Sequence, residues 1–190
     1  MALTDRIDAR SVGSGAGIGA IAYVLGYLFV YVTQRNDVEE QLSAFNFITD
    51  LFGSDPIPAW QAVGWLFYNA HFVDTEIPGF GGARVRNFIA ASDDGSLTLL
   101  YLVPPLLLLA AGFAAAFLAN VDDPAVGVPV GASVTLAYLP LAIAGVFVFA
   151  YTIGDGSIAP DLVTAVLLAG VVYPAVFGSA GGAIAGVVGD

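Results

Sequence analysis

Cysteine and lysine are both absent from this 190-residue chain, and histidine and methionine occur once each. Without cysteine there is no disulfide, no thiolate metal ligand and no thiol nucleophile. Without lysine the cations are five arginines, Arg6, Arg10, Arg35, Arg84 and Arg86. Against them stand sixteen acids, thirteen of them Asp, for a formal net charge of −11. No basic face is available to nucleic acid, so that partner is excluded. A single His71 excludes a bis-His haem. No HExxH, GxSxG or P-loop is present. Gly154-Asp155 lacks the first glycine of the GxGD motif of intramembrane proteases, since Thr152 stands there. The expectation is a protein that is not an enzyme and uses no cofactor and no metal. The apolar runs also lack Asp, Glu, Lys, Arg and His, the groups that mark proton relays, ion coupling and voltage sensing inside a bilayer.

Apolar sequence is abundant. The chain is 58% hydrophobic, with mean hydropathy +0.84, against about 45–50% apolar for ordinary globular domains. Four runs, about 14–32, 97–118, 130–153 and 162–188, reach the ~18 residues of a spanning helix. The charges sit in the tails and loops between them. Such a charge repels itself in dilute buffer and needs screening, and lysine-free, Asp-rich loops point to a halophilic source. Arg6 and Arg10 before the first run imitate a signal peptide. The run is longer than an h-region and ends without a small-x-small site, so it reads as an uncleaved anchor. The same arginines favour a cytoplasmic N-terminus, with 34–96 outside. Short acidic connections make the last three spans sequential antiparallel neighbours.

Residues 34–96 form the non-spanning region. Asp37 with Glu40 three later reads as a capping box. It would open a helix at about 38–52, with Val38, Leu42, Phe45, Ile48, Leu51 and Phe52 on one side and Gly53 as its stop. A second helix, about 58–73, opens at Pro58. At ~22 Å it is too short to span. It is apolar nearly all round and rich in aromatics, so it reads as interfacial or re-entrant. Its candidate interfacial site is Trp60, Trp65, Tyr68 and His71. Asn69, Asp74 and Glu76 lie near His71, but a metal site wants three or four convergent ligands. An ordinary interfacial histidine is the weightier reading.

Two further patterns remain. Gly170, Pro174, Gly178, Gly182 and Gly186 recur every four residues, and Gly13, Gly15, Gly17 and Gly19 crowd the first span. Small residues let helix backbones approach in a bilayer. Gly13, Gly17, Gly170, Gly178, Gly182 and Gly186 are therefore a candidate packing face, toward each other, another copy or a different subunit. Gly17 to Ala22 loosely fits GxGxxA, but inside a span it serves close packing. The last three spans each carry an aromatic before proline: Tyr101 before Pro104-Pro105, Tyr138 before Pro140, Tyr173 before Pro174. A mid-helix proline frees the carbonyl four residues back, here Leu100, Tyr101, Leu136 and Gly170. With Thr135 the three tyrosines and four prolines form a candidate pocket of broken helices. Ordinary packing is the alternative, since proline is common in membrane helices.

The stretches Leu51-Phe52-Gly53 to Pro56-Ile57-Pro58, Ala62 to Phe72, and Ser96 to Pro105, with the glycine-rich end, resemble a family of uncharacterised haloarchaeal multi-pass membrane proteins, sometimes labelled transporters. The resemblance implies an archaeal integral membrane protein and brings no substrate or catalytic residue. The expected fold is a single all-α membrane domain over 1–190. It would be a four-helix bundle with one or two interfacial or re-entrant amphipathic helices between its first two spans. The expected function is a non-enzymatic, permease-like or transport-associated subunit for a small solute. The alternative is a structural or assembly subunit that docks partners through its glycine faces and the aromatic 58–73 helix. The expected partners are the lipid bilayer and further copies of the chain or other membrane subunits.

Overall fold

The computed structural model describes residues 9–51, 55–79, 82–93 and 95–189, without the side chains of 9–10 and 48–51. Arg6, Phe52, the predicted stop at Gly53, and Asp94 lie outside the described residues. The protein is an all-α integral membrane bundle. Four of its helical segments, Ser11–Phe47, Leu97–Leu118, Pro124–Val148 and Leu162–Val188, are long and apolar enough to cross a membrane.

Helix α1 runs unbroken from Ala9 to Leu51, about 64 Å at 1.5 Å per residue. The expected separate helix at 38–52 is therefore the far end of α1. The capping box does not act as a start because no Gly or Pro lies between Gly26 and Gly53 to stop the helix. Extending a helix costs less than nucleating a new one. An Arg35–Glu39 pair at 2.7 Å, one turn apart, supports the helix across this point. Ile21, Val24, Leu25, Leu28, Phe29 and Val32 are exposed on its first half. The polar run from Thr33 to Asp37 follows.

Helix α2, Ala59–Asn69, ends in a Schellman-type turn. There the Val73 N–H donates to the Tyr68 carbonyl and the Phe72 N–H to the Asn69 carbonyl. Phe72 occupies the left-handed position at φ 59, where glycine is usual. Four short strands follow in two places: β1 Thr75–Ile77, β2 Arg84–Arg86, β3 Tyr151–Ile153 and β4 Gly156–Pro160. They form one antiparallel sheet in the order β2-β1-β4-β3, with Thr75 opposite Arg86 and Pro160, and Tyr151 opposite Ile158. Neither hairpin was expected. Span three stops at Val148 rather than 153 because Tyr151–Ile153 is strand. The two-residue loop Gly154-Asp155 carries a left-handed residue, Gly154 at φ 56.

Spans two and four change helix type along their length, and span three is interrupted. A 3-10 turn, Leu97–Leu102, leads into α3, Val103–Leu118. Span three is α4, Pro124–Ala132, then α5, Thr135–Val148. Span four is α6, Leu162–Thr164, a π-helical stretch, Ala165–Val172, and α7, Tyr173–Val188. Pro104, Pro105 and Pro174 sit in first turns, where the missing N–H had no partner to lose. Pro140, expected to break span three, lies inside α5, and the break falls at Ser133–Val134, four residues beyond Pro129.

Packing fixes which ends lie together. Gly15 abuts Val130 and Ser133, and Gly19 abuts Val134, so α1 runs parallel to span three. Gly186, Gly182 and Gly178 meet Asp123, Gly127 and Gly131 in turn, so α7 is antiparallel to α4. Val121 lies against Gly189. The N-terminal end of α1, the α3–α4 connection and Gly189 therefore share one end. The far part of α1, α2 and the sheet form a cap at the other.

Candidate functional site

The cap is organised around α2, whose residues from Gln61 to His71 are buried without interruption. The expected interfacial site is thereby split. Trp60 is 41% exposed, while Trp65, Tyr68 and His71 are buried. The cause is a set of bonds to carbonyls at the end of span three. Gln61 Nε2 donates to the Ala150 carbonyl at 2.7 Å and Trp65 Nε1 to the Phe149 carbonyl at 2.8 Å. The Tyr68 hydroxyl donates to the Ala142 carbonyl. The Phe149 and Ala150 carbonyls are groups that a helix end leaves unpaired, whereas Ala142 lies inside α5. A helix that satisfies them packs on the bundle rather than lying on a surface.

His71 stands at the centre. Its Nδ1–H donates to the Phe67 carbonyl at 2.9 Å, and Nε2 lies 2.8 Å from the Tyr138 hydroxyl. A carbonyl only accepts, so the proton is on Nδ1 and Nε2 accepts from Tyr138. Burial pushes the imidazole pKa down to about 4, partly offset by the bond to Phe67. The ring is therefore neutral near pH 7. Tyr173 packs against it at 5.2 Å. Phe72 stacks on Tyr101 at 4.3 Å and 8°. The tyrosines that precede the prolines of the last three spans thus converge on the His71 turn. Two sets of residues read separately in the sequence form one cluster.

The centre of the cluster is closed, while Phe72 at its edge is 55% exposed. Tyr138 and His71 are 2% and 0% exposed. Cavities of about 430, 190 and 440 Å³ lie in the cap. None is lined by Tyr101, Tyr138, Tyr173, Thr135 or the prolines of the candidate pocket. The Thr135 hydroxyl is a buried polar atom with no hydrogen-bond partner among the described residues. Asp74 does not bond His71; its carbonyl accepts from the Asp161 N–H. Among the described residues no three acidic or histidine side chains are placed to hold a metal.

Of the residues that complete this arrangement, the sequence placed Asn69 and Tyr68 near His71 and left Asn87 and Gly145 unremarked. Asn69 Nδ2 donates to the Val73 carbonyl and Thr75 Oγ1, at 2.8 and 3.2 Å, and Oδ1 accepts from the Phe88 N–H at 2.8 Å. Asn87 Oδ1 accepts from the Ile89 and Ala90 N–H groups and the Tyr101 hydroxyl, each at 3.1 Å. The Tyr23 and Tyr68 hydroxyls are 3.0 Å apart over Gly145, where a Cβ would collide with both. The one available signal was Asn69, an amide inside a wholly apolar stretch, since buried amides are almost always partnered.

The candidate glycines divide as well. Gly178, Gly182 and Gly186 meet backbone of α3 or α4 in the same chain, and Gly170 meets the Leu139 side chain. Gly13 and Gly17 have nothing within 4 Å of an added Cβ; their neighbours Gly15 and Gly19 make the contacts.

Fold and site together define a class, the multi-span helical membrane bundle with a closed, hydrogen-bonded cap. The chain matches the model of a family of unknown function (DUF7978) over residues 2–189 and belongs to that family. No curated protein and no solved structure matches it.

Proposed function

We propose that the chain is a non-enzymatic subunit of a membrane complex, a rigid bundle that presents the outer face of the far end of α1, its arm, to a partner. The observation that carries this reading is the far end of α1. It extends about 27 Å beyond Thr33, and Phe45 and Phe47 on it are 41% and 67% exposed. Large apolar side chains displayed beyond the lipid-facing stretch suit burial by another protein. The assembly role thus rests on the arm. The aromatic helix and most of the glycine face are consumed inside the chain. Further copies of the chain or other subunits are the partners. The acidic, lysine-free loops support a halophilic, archaeal source, and Arg6 and Arg10 support a cell-membrane protein with a cytoplasmic N-terminus.

One observation favours the permease-like reading. The spans that supply Tyr101, Tyr138 and Tyr173 all depart from regular α-helix, and a π segment directly precedes Tyr173. Such segments concentrate at functional sites. A photo-cross-linker at Phe47 in native membranes decides between the two. The arm reading predicts a discrete adduct there and solute flux in reconstituted vesicles equal to protein-free vesicles. Flux above background that Tyr138→Phe abolishes, without an adduct, establishes the permease reading instead.

A further inference from the structure

The cavity of about 430 Å³ between α1 and the cap carries charges of both signs. Asp37 and Glu40 line it from α1, and Arg86 lines it from β2. Glu40 and Gln41 lie three and four positions after Asp37, on its face of the helix. Among the described residues Asp37, Glu40 and Arg86 have no ion-pair partner, whereas Arg35 pairs with Glu39. The guanidinium of Arg86 lies over the Phe88 ring at 5.8 Å. Phe88 and Leu66 line this cavity and also the adjoining one of about 190 Å³. Opposite charges attract, and long side chains normally close on one another in a groove. Here the carboxylates come from α1 and the guanidinium from β2, and Leu66 and Phe88 add apolar surface to the same lining.

We infer that this cavity binds a zwitterion, its ammonium held by Asp37 and Glu40 and its phosphate or carboxylate by Arg86. The aliphatic part between the two charges lies on Leu66 and Phe88. Charge arithmetic selects this class. Two carboxylates and one guanidinium leave the site net negative, so an anion alone is repelled. A cation alone leaves Arg86 unpaired. A molecule with both charges satisfies both, and each charge-assisted contact is among the stronger hydrogen bonds. The cavity begins at Gln34, two residues beyond Val32, the last large apolar side chain exposed on the first half of α1. That is the level of lipid headgroups. A zwitterionic headgroup and a free zwitterionic solute present the same chemistry there. The inference does not depend on the partner-arm reading.

The test is calorimetric titration of the full chain in phosphatidylglycerol nanodiscs with ethanolamine phosphate, ethylamine or methyl phosphate. Ethanolamine phosphate is expected to bind about tenfold tighter than either single-charge probe. Arg86→Gln should weaken ethanolamine phosphate by about tenfold and leave ethylamine unchanged. Asp37→Asn with Glu40→Gln should weaken both amines. All three positions are exposed, so thermal stability should not move. Adding phosphatidylethanolamine to the disc distinguishes the sources: competition with the free probe identifies a headgroup, and absence of competition identifies a soluble zwitterion. Absence of heat at millimolar probe overturns the assignment. So does equal binding of ethylamine, or an affinity that the charge-removing variants leave unchanged. A missing Phe47 adduct with intact binding would refute the arm alone.

Discussion

The glycine row between α4 and α7 gives the sharpest perturbation. A Cβ added at Gly182 would lie 2.1 Å from the Gly127 carbonyl oxygen and 2.9 Å from Gly127 C and Gly131 Cα. These are backbone atoms, so no rotamer change relieves the clash. Restoring a 3.4 Å contact to that oxygen moves the two helices apart by about 1.3 Å. The gap would forfeit dispersion contacts along the whole row, since even 0.5–1 Å costs a quarter to a half of the well. Overpacking of this kind costs about 3 kcal/mol, the top of its usual range. The better helix propensity of Ala returns about 1 kcal/mol. Gly182→Ala should therefore destabilise by about 2 kcal/mol and lower Tm by roughly 4–8 °C. Gly17 is the control, with nothing within 4 Å. Gly17→Ala should raise stability by up to ~1 kcal/mol. Thermal unfolding followed by circular dichroism, with oligomer size measured in the same detergent, reads both. An unchanged Tm for Gly182→Ala refutes the packing argument. Loss of an oligomer with an unchanged monomer Tm shows that the face meets another chain.

Three more perturbations address the cap. Between pH 6.5 and 4 unfolded His71 binds a proton that the folded protein refuses. Its contribution is thus complete above about pH 6.5 and declines by ~3 kcal/mol as pH falls to 4. A pH series of Tm for wild type and His71→Phe should diverge over that window, and parallel curves would refute the burial argument. Phe72→Ala keeps the left-handed strain and loses the Tyr101 stack, whereas Phe72→Gly loses the stack and the strain together. The glycine variant should be the more stable by about 1 kcal/mol in denaturant titrations. Asn69→Leu strands the Phe88 N–H and the Val73 carbonyl, and should cost about 3 kcal/mol. A loss under 1 kcal/mol would show that water replaces the amide.

The four spans were legible because lipid imposes a long, charge-free run on each crossing helix. The extent of α1 was not. Asp37 and Glu40 form a start signal, but a start signal acts only where something has ended the preceding helix. The strands escaped because three residues such as Tyr151–Ile153 are too few to show the alternation that marks a strand. The small faces were legible as faces, but four-residue spacing does not name the opposite helix. Nor did it separate Gly15 and Gly19, which touch span three, from Gly13 and Gly17, which do not. The tyrosines and His71 were each noticed, yet their meeting depends on α2 folding back onto span three. That contact joins residues 67 positions apart in the chain.

The most direct measurement uses the absence of cysteine. Single cysteines at Gly13, Leu106, Val85 and Gly189 are treated with a membrane-impermeant maleimide in sealed vesicles, then after permeabilisation. Gly13 and Gly189 should label together from one side and Val85 from the other. Leu106, 62% exposed within span two, should stay unlabelled by that reagent while a lipid-soluble one reacts. Ready labelling of Leu106 in intact vesicles, or termini that label from opposite sides, would contradict the bundle described here.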